Sequence, residues 1–196
     1  VSGLLAKRLG GPSVKPYQPA GLWMEMSYGN SQGKSYKQDH GESLYRRGLY
    51  TVWKRSVLFP AFAAFDAPNR EECTVRRPRT NTPLQAFVLL NDATFVESAR
   101  VFAERVLREG GNNFESQIGF AMEIALARPP SSSERSVLQS LLTDMFMHYR
   151  RKPEEAQNII ATGEWPISKD LDPVTLAAWT SVAQAILNLD EMQTKE

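Results

Sequence analysis

The chain has 196 residues, a formal net charge of +1, and a composition that is 42% hydrophobic and 23% charged. That hydrophobic fraction is enough for a packed core, so a wholly disordered chain is excluded. The single cysteine, Cys73, excludes an internal disulfide framework and a cysteine-rich zinc or iron–sulfur site. No stretch approaches about 20 continuous apolar residues, so the sequence predicts no membrane span.

The small net charge hides a difference between two parts of the chain. Residues 1–80 hold 13 Lys or Arg and 6 Asp or Glu, a net charge of +7. Residues 81–196 hold 10 and 16, a net charge of −6. Either the two parts attract each other or the basic part holds a local anion site. Because the whole chain is balanced, we expect no nucleic-acid partner.

The first 43 residues combine a short predicted helix with a long loop. Three leucines share one face at helical spacing: Leu4, Leu5 and Leu9. The turn Gly10-Gly11-Pro12 is a stop signal for that helix. Because nothing caps its start, we expect residues 1–9 to be the end of a longer helix in a chain truncated at its N-terminus. Residues 10–43 are typical of a loop held against a surface.

The next segment is ambiguous in its secondary structure. Residues 44–58 are compatible with a strand or a short helix, and their β-branched and aromatic content favours a strand. Pro60 and Pro68 bracket a segment that we predict to be irregular. Residues 1–80 are therefore predicted to form a basic, loop-rich part.

The acidic part predicts a series of helices joined by short loops. Proline residues and capping side chains mark the predicted starts: Thr82-Pro83, Asp92, Ser131 with Glu134, Pro153, and Asp172-Pro173. Glycine and proline pairs mark two of the predicted ends: Gly110-Gly111 and Pro129-Pro130. The chain is therefore predicted to be mainly α, an irregular helical bundle with room for one short strand or hairpin. We expect a single domain over residues 1–196, with residues 81–196 as its helical part.

The densest polar segment lies directly before the first helix of the acidic part. A helix start presents free N–H groups and the positive end of a dipole, and arginine forks beside it suit a carboxylate, sulfate or phosphate. The candidate ligand-binding residues are therefore Arg76, Arg77, Arg79, Thr80, Asn81 and Gln85. The alternative is that a residue of Thr80–Thr82 merely caps the helix while the arginines pair with acidic neighbours such as Asp66.

Other polar groups are weaker candidates. Cys73 lies near the arginines, whose charge favours the thiolate, but no histidine adjoins it in sequence to act as a base. Asp39, His40 and Glu42 form a metal-type cluster without a second histidine to complete it. We therefore assign no catalytic residue and predict neither a metal site nor a cofactor in this chain. Aromatic residues of the basic part either form a ligand surface or staple loops to the core: Tyr17, Trp23, Tyr28, Tyr36 and Trp53.

Four stretches together resemble one family. They are SGLLAKRLGGPSVKPYQPAGLW (residues 2–23), LYRRGLYTVWKRS (residues 44–56), FDAPNREECTVRRPRTNTPLQAFVLLNDATFVESARVFAERVL (residues 65–107) and LAAWTSVAQAILNLDEMQTKE (residues 176–196). They look like the C-terminal domain of large exported planctomycete-type proteins, which is catalogued as domain of unknown function fifteen fifty-three.

The resemblance implies a multidomain parent protein. In that family the domain follows a sister domain and often an N-terminal planctomycete cytochrome c domain, so haem c would belong to the missing N-terminal part. The implied location is the periplasm or cell envelope, and the implied partners are the missing domains of the same chain. No reaction is assigned to the family, so the resemblance transfers no catalytic residue.

Three functions from different classes follow from these observations, and the least favoured is a nucleic-acid module that uses the basic part. The first is an accessory or scaffold/binding domain, without a reaction of its own, in a large exported multidomain protein. The alternative is an enzyme domain that acts on an anionic or carbohydrate substrate at the arginine-rich helix start.

Overall fold

A computed structural model describes residues 1–25, 35–54, 57–69 and 72–194. Within these ranges the chain is mainly α-helical and forms no sheet, which confirms the predicted fold class. The helices are α1 (Leu22–Glu25), α2 (Pro60–Ala64), α3 (Pro83–Asn91), α4 (Ala93–Glu109), α5 (Phe114–Leu126), α6 (Ser132–Arg151), α7 (Pro153–Ile160), α8 (Pro173–Leu187) and α9 (Asp190–Gln193).

The strand favoured over residues 44–58 is not formed in the described residues of that segment, 44–54 and 57–58. Short 3₁₀ helices occupy Gly41–Tyr45 and Gly48–Tyr50 instead. The extended pairing that remains consists of isolated bridges, such as the one between Val14 and Thr51. Strand propensity mainly reflects how well side chains fit a pleated surface, and no neighbouring strand in the described ranges supplies such a surface.

Two further predictions in the basic part are wrong. Residues 1–9 are not helical; Ala6 donates its N–H to the Tyr45 carbonyl, and Gly3 has a φ of +92°. A helix this short is marginal in water, because its first turn fixes several dihedrals for one hydrogen bond. The segment after Pro60, predicted to be irregular, begins with α2, since a proline at the first helical position has a suitable φ.

The chain divides into two compact units. One contains Val1–Leu4 and Leu89–Glu196, and we call it the helical unit; the other contains Leu5–Val88, and we call it the loop-rich unit. The boundary falls within α3, later than the predicted division at residue 80. Whether the two units form one domain stays a prediction.

The helical unit is built around α8. This helix packs against α4, α6 and α7, and its residues Leu176–Thr180 are all buried. A helix that is buried on all sides belongs at the centre of a bundle, whereas α4 has one apolar face. No helix in the described part of the chain is long and apolar enough to cross a membrane.

The predicted capping residues set the helix boundaries of this unit. Asp92 accepts a hydrogen bond from Thr94 N at 2.9 Å, and Asp172 accepts one from Thr175 N at 2.8 Å. Ser131 and Glu134 form the complete capping box that their spacing predicts. The short helix α9 follows α8 and has no counterpart among the predicted helix starts.

Candidate functional site

The predicted arginine-rich segment belongs to the loop-rich unit and is fixed by a chain of side-chain hydrogen bonds. Thr80 donates to Asp66 Oδ2 twice, from its backbone N at 2.9 Å and from Oγ1 at 2.7 Å. Gln85 Nε2 in turn donates to Thr80 Oγ1 at 3.0 Å. These bonds, above all the one from the Thr80 hydroxyl, hold the pKa of Asp66 below its usual value. We call these three residues the Asp66–Thr80–Gln85 chain.

The start of α3 is closed by its own side chains. Gln85 N donates to Thr82 Oγ1 at 3.3 Å, and Thr82 N donates to Gln85 Oε1 at 3.0 Å, which is a reciprocal capping box. Pro83, between them, has no N–H group. Most of the N–H groups expected to hold an anion at this helix start are therefore absent or already bonded. Thr82 caps the helix, as in the alternative interpretation that one residue of Thr80–Thr82 is only a helix cap.

The three arginines of the segment differ in their surroundings. Arg77 donates from Nε to the Asp66 carbonyl at 2.9 Å and from Nη2 to the Phe65 carbonyl. Arg76 and Arg79 are exposed and have no hydrogen-bond or ion-pair partner in the described ranges. Asn81 is also exposed but, unlike Arg76 and Arg79, it interacts with another group of the protein. Arg77, Thr80 and Gln85 thus meet around the Asp66 loop, and ligand binding by the six candidates stays a prediction.

A second polar cluster, which the sequence did not predict, lies inside the helical unit. Glu97, Arg100 and Glu104 of α4 are 0%, 0% and 5% exposed. Arg100 Nη1 lies 2.6 Å from Glu104 Oε1, and Arg100 Nη2 lies 3.9 Å from Glu97 Oε1. Buried charges are unfavourable unless they are paired and hydrogen-bonded. We call this cluster the α4 triad.

The α4 triad holds the chain that follows α7 in place. Glu97 Oε1 accepts from Trp165 N at 2.6 Å, and Arg100 Nη2 donates to the Trp165 carbonyl at 2.7 Å. Glu104 Oε2 accepts from Ser168 Oγ at 2.6 Å. Each charge therefore bonds directly to the connection between α7 and α8, which we call the 163–171 loop. The sequence signal for the α4 triad is the spacing of three and four residues between its members, which places the three side chains on one face of the helix.

A cleft of about 640 Å³ lies beside that loop within the helical unit. Its polar lining comes from Gln157, Ser168 and Lys169. Its apolar lining comes from Ile160, Pro166, Ile167, Leu171, Pro173 and Leu176. The α4 triad thus fixes one wall of a concave, mainly apolar surface.

A smaller cleft of about 320 Å³ lies in the loop-rich unit, where Trp23 and Tyr36 line it. Their rings meet edge to face at 5.0 Å, and Lys54 Nζ lies 4.6 Å from the Trp23 ring centre. The Tyr36 hydroxyl donates to the Pro16 carbonyl, and burial raises its pKa well above the usual value. These contacts fit the stapling interpretation of the aromatic residues. Tyr28 lies outside the described residues.

The remaining candidates are dispersed. Cys73 is exposed, and Asp39 accepts a hydrogen bond from Lys15 N at 2.8 Å within a loop contact. In the described part of the chain, no three His, Cys, Asp or Glu residues are grouped so as to hold a metal ion.

Residues 1–142 match the family model of PSD1, described as a protein of unknown function (DUF1553). No curated protein and no solved structure matches the chain. The matched residues include the Asp66–Thr80–Gln85 chain and the α4 triad, whereas the 163–171 loop lies beyond them.

Proposed function

The chain belongs to the DUF1553 family, and on that premise we propose that it is an accessory scaffold or binding domain of a large exported multidomain protein. The observation that carries the proposal is the placement of Arg77. Its guanidinium donates to the main-chain carbonyls of Phe65 and Asp66. An arginine used in this way stabilises its own loop, and it has fewer donors left for a substrate.

The proposal assigns haem c to another part of the parent protein. Attachment of a c-type haem needs two cysteines in a C-x-x-C-H motif. This chain has one cysteine, Cys73, followed by Thr74. The residues present therefore do not fit a haem, and a cytochrome c domain would be a neighbour in the same polypeptide.

The proposal also gives the chain a location and partners. The four family-like stretches support a parent protein in the periplasm or cell envelope, where the preceding domains of that parent are the partners. The two compact units then serve as a folded support to which those domains attach.

A comparison of two arginine variants in the parent protein tests this function. We expect Arg77→Ala to lower the melting temperature, because two carbonyls lose their donor. Turnover on a panel of polysaccharides and sulfated sugars should be unchanged, or absent in both proteins. Arg76→Ala, at an exposed neighbouring position, is the matched control for stability and should leave the melting temperature unchanged. Loss of turnover in Arg77→Ala at an unchanged melting temperature would refute the accessory role.

A second candidate function is supported by Arg76 and Arg79. Both are exposed, without a hydrogen-bond or ion-pair partner in the ranges that the structure describes, so their guanidinium groups are available to an anionic or carbohydrate substrate. The test is binding of a sulfated oligosaccharide at low and high salt. An Arg76→Ala/Arg79→Ala double variant should bind more weakly, and absence of binding at low salt eliminates this candidate.

A further inference from the structure

We propose that the cleft beside the 163–171 loop binds a small aliphatic carboxylate. This site is separate from the arginine-rich segment and does not depend on the function proposed above. The inference combines three observations: a wall fixed by buried charges, an apolar floor, and two polar groups whose chemistry suits an anionic head.

The wall is fixed by the α4 triad. Arg100 Nη1 lies 3.4 Å from the Pro166 carbonyl, and Ser168 Oγ donates to Glu104 at 2.6 Å. Pro166 and Ser168 both line the cleft. Two lining residues are therefore bonded to side chains that are themselves buried, so the wall is already positioned for a ligand. Positioning of this kind reduces the entropy lost on binding.

The floor is apolar and belongs to the core of the helical unit. Ile160 of α7 and Leu176 of α8 lie beneath it and are already buried, while the apolar surface still open to water comes from Ile167, which is 40% exposed, and from the partly buried Leu171. An alkyl chain placed here would remove apolar surface from water on both sides of the contact, which is favourable at about 25 cal/mol per Å². A strongly hydrated ligand, such as a free sugar, gains little from such a floor.

The polar lining selects the head group. Ser168 uses its hydroxyl proton on Glu104, which leaves Lys169 and the Gln157 amide as the polar lining groups without a side-chain partner in the described residues. The neighbouring Asp170 is paired with Arg108, with 2.8 Å between Arg108 Nη2 and Asp170 Oδ1. The Lys169 ammonium is therefore not neutralised by that carboxylate. An ammonium and an amide N–H together suit a carboxylate.

A comparison of octanoate with 1-octanol separates the contribution of the ligand's carboxylate head group from that of its alkyl chain. We expect octanoate, added to the isotopically labelled 196-residue chain, to shift the NMR signals of Ile160, Ile167 and Leu176 saturably. Lys169→Gln should weaken octanoate binding by about tenfold or more, because it removes a charge-assisted hydrogen bond. Binding of 1-octanol should be the same in both proteins. Lys37→Gln, a substitution of an exposed lysine in the loop-rich unit, should leave both affinities unchanged.

A cleft-filling variant tests the location. Gln157→Trp, at an exposed position of α7, should abolish binding of octanoate and of 1-octanol while the helical far-UV signal is retained. The proposal is overturned if octanoate produces no saturable shifts, if the shifts lie outside the cleft, or if Lys169→Gln binds octanoate as tightly as the natural chain.

Discussion

Gly163 lies directly against the buried carboxylate of Glu97. A Cβ atom built on Gly163 would stand 2.7 Å from Glu97 Cγ and still closer to the carboxyl group. Gly163 also has a φ of +89°, in the left-handed region that side chains disfavour. Glu97 accepts the Trp165 N–H two residues later. The loop can therefore close over this carboxylate only because residue 163 has no side chain.

Gly163→Ala is expected to destabilise the helical unit strongly. The left-handed backbone costs a side chain about 1–2 kcal/mol, and crowding in a packed interior typically adds about 1–3 kcal/mol. Chemical denaturation monitored by far-UV circular dichroism gives the change in unfolding free energy.

Gly119→Ala is the matched control for that variant. Gly119 lies inside α5, and a Cβ built there meets nothing within 4 Å. Alanine in a helix interior is more favourable than glycine by about 0.5–1 kcal/mol, so the control should be stabilised. Equal stability changes in the two variants would contradict the role assigned to the Gly163–Glu97 contact.

Arg100→Met is expected to be among the most destabilising substitutions in α4. It leaves Glu97 and Glu104 as buried carboxylates without their cation, and breaking such a pair costs about 3–5 kcal/mol. Arg108→Met is the control on the same helix, since its pair with Asp170 is exposed and such pairs contribute little. The measurement is the denaturation midpoint of each variant. A similar midpoint for both would contradict the structural importance of the α4 triad.

The helix boundaries of the acidic part could be predicted because they depend on local chemistry. Ser131 with Glu134 and Asp92 act within one helical turn, so their spacing alone identifies the helix start. Residues 1–9 were predicted incorrectly because their leucine spacing is helical. The structure around Ala6 instead depends on the Tyr45 carbonyl, which is distant in sequence.

The two polar clusters could be predicted only in part. Thr82 and Gln85 have the spacing of a capping box, but the same segment also fits an anion site, and the sequence does not say which contacts form. Glu97 and Arg100 resemble an ordinary solvent-exposed helix pair. Their burial results from a loop more than 60 residues away in the chain, a contact that no local pattern reveals.

Thr80→Val tests the Asp66–Thr80–Gln85 chain. Valine keeps the shape of threonine but removes Oγ1, so Gln85, which is 2% exposed, loses the acceptor that lies 3.0 Å from its Nε2. A hydrogen bond typically contributes about 0.5–1.5 kcal/mol, and we expect a loss in that range. Thr74→Val, at an exposed position, should stay within about 0.5 kcal/mol of the natural chain. Equal midpoints for the two variants in urea denaturation would contradict this.

The same substitution should change the dependence of stability on pH. Asp66 has a lowered pKa in the folded chain, chiefly because of the Thr80 hydroxyl. The stabilisation of the folded state by the Asp66 carboxylate is therefore present above the unfolded pKa of 3.8, and it is lost as pH falls through the lower folded pKa. Thr80→Val should bring the folded pKa closer to the unfolded one, which NMR titration of the Asp66 carboxyl carbon measures. An unchanged titration midpoint would contradict the assignment of the Thr80 hydroxyl as the main cause of the lowered Asp66 pKa.

In the helical unit, the charge of Glu134 makes a further pH-dependent contribution to the stability of the folded chain. Arg128 donates to both oxygens of Glu134, at 2.7 and 3.0 Å, and these bonds together with those to Ser131 lower the pKa of Glu134 to about 2. Because the unfolded value is 4.5, this stabilisation is present above about pH 4.5 and is lost as pH falls towards 2. Glutamine retains the capping-box acceptor but removes the charge. Glu134→Gln should therefore be less stable than the natural chain near neutral pH.

Melting temperatures measured from about pH 6 to about pH 2 test that expectation. The difference between the natural chain and Glu134→Gln should shrink steadily below about pH 4.5, since the natural carboxylate then takes up a proton and loses its attraction to Arg128. Glu123→Gln, which removes an exposed carboxylate of α5 that has no ion-pair partner in the described residues, is the control variant. A difference for Glu134→Gln that stays constant down to the lowest pH would mean that Arg128 does not stabilise the Glu134 carboxylate in the folded chain.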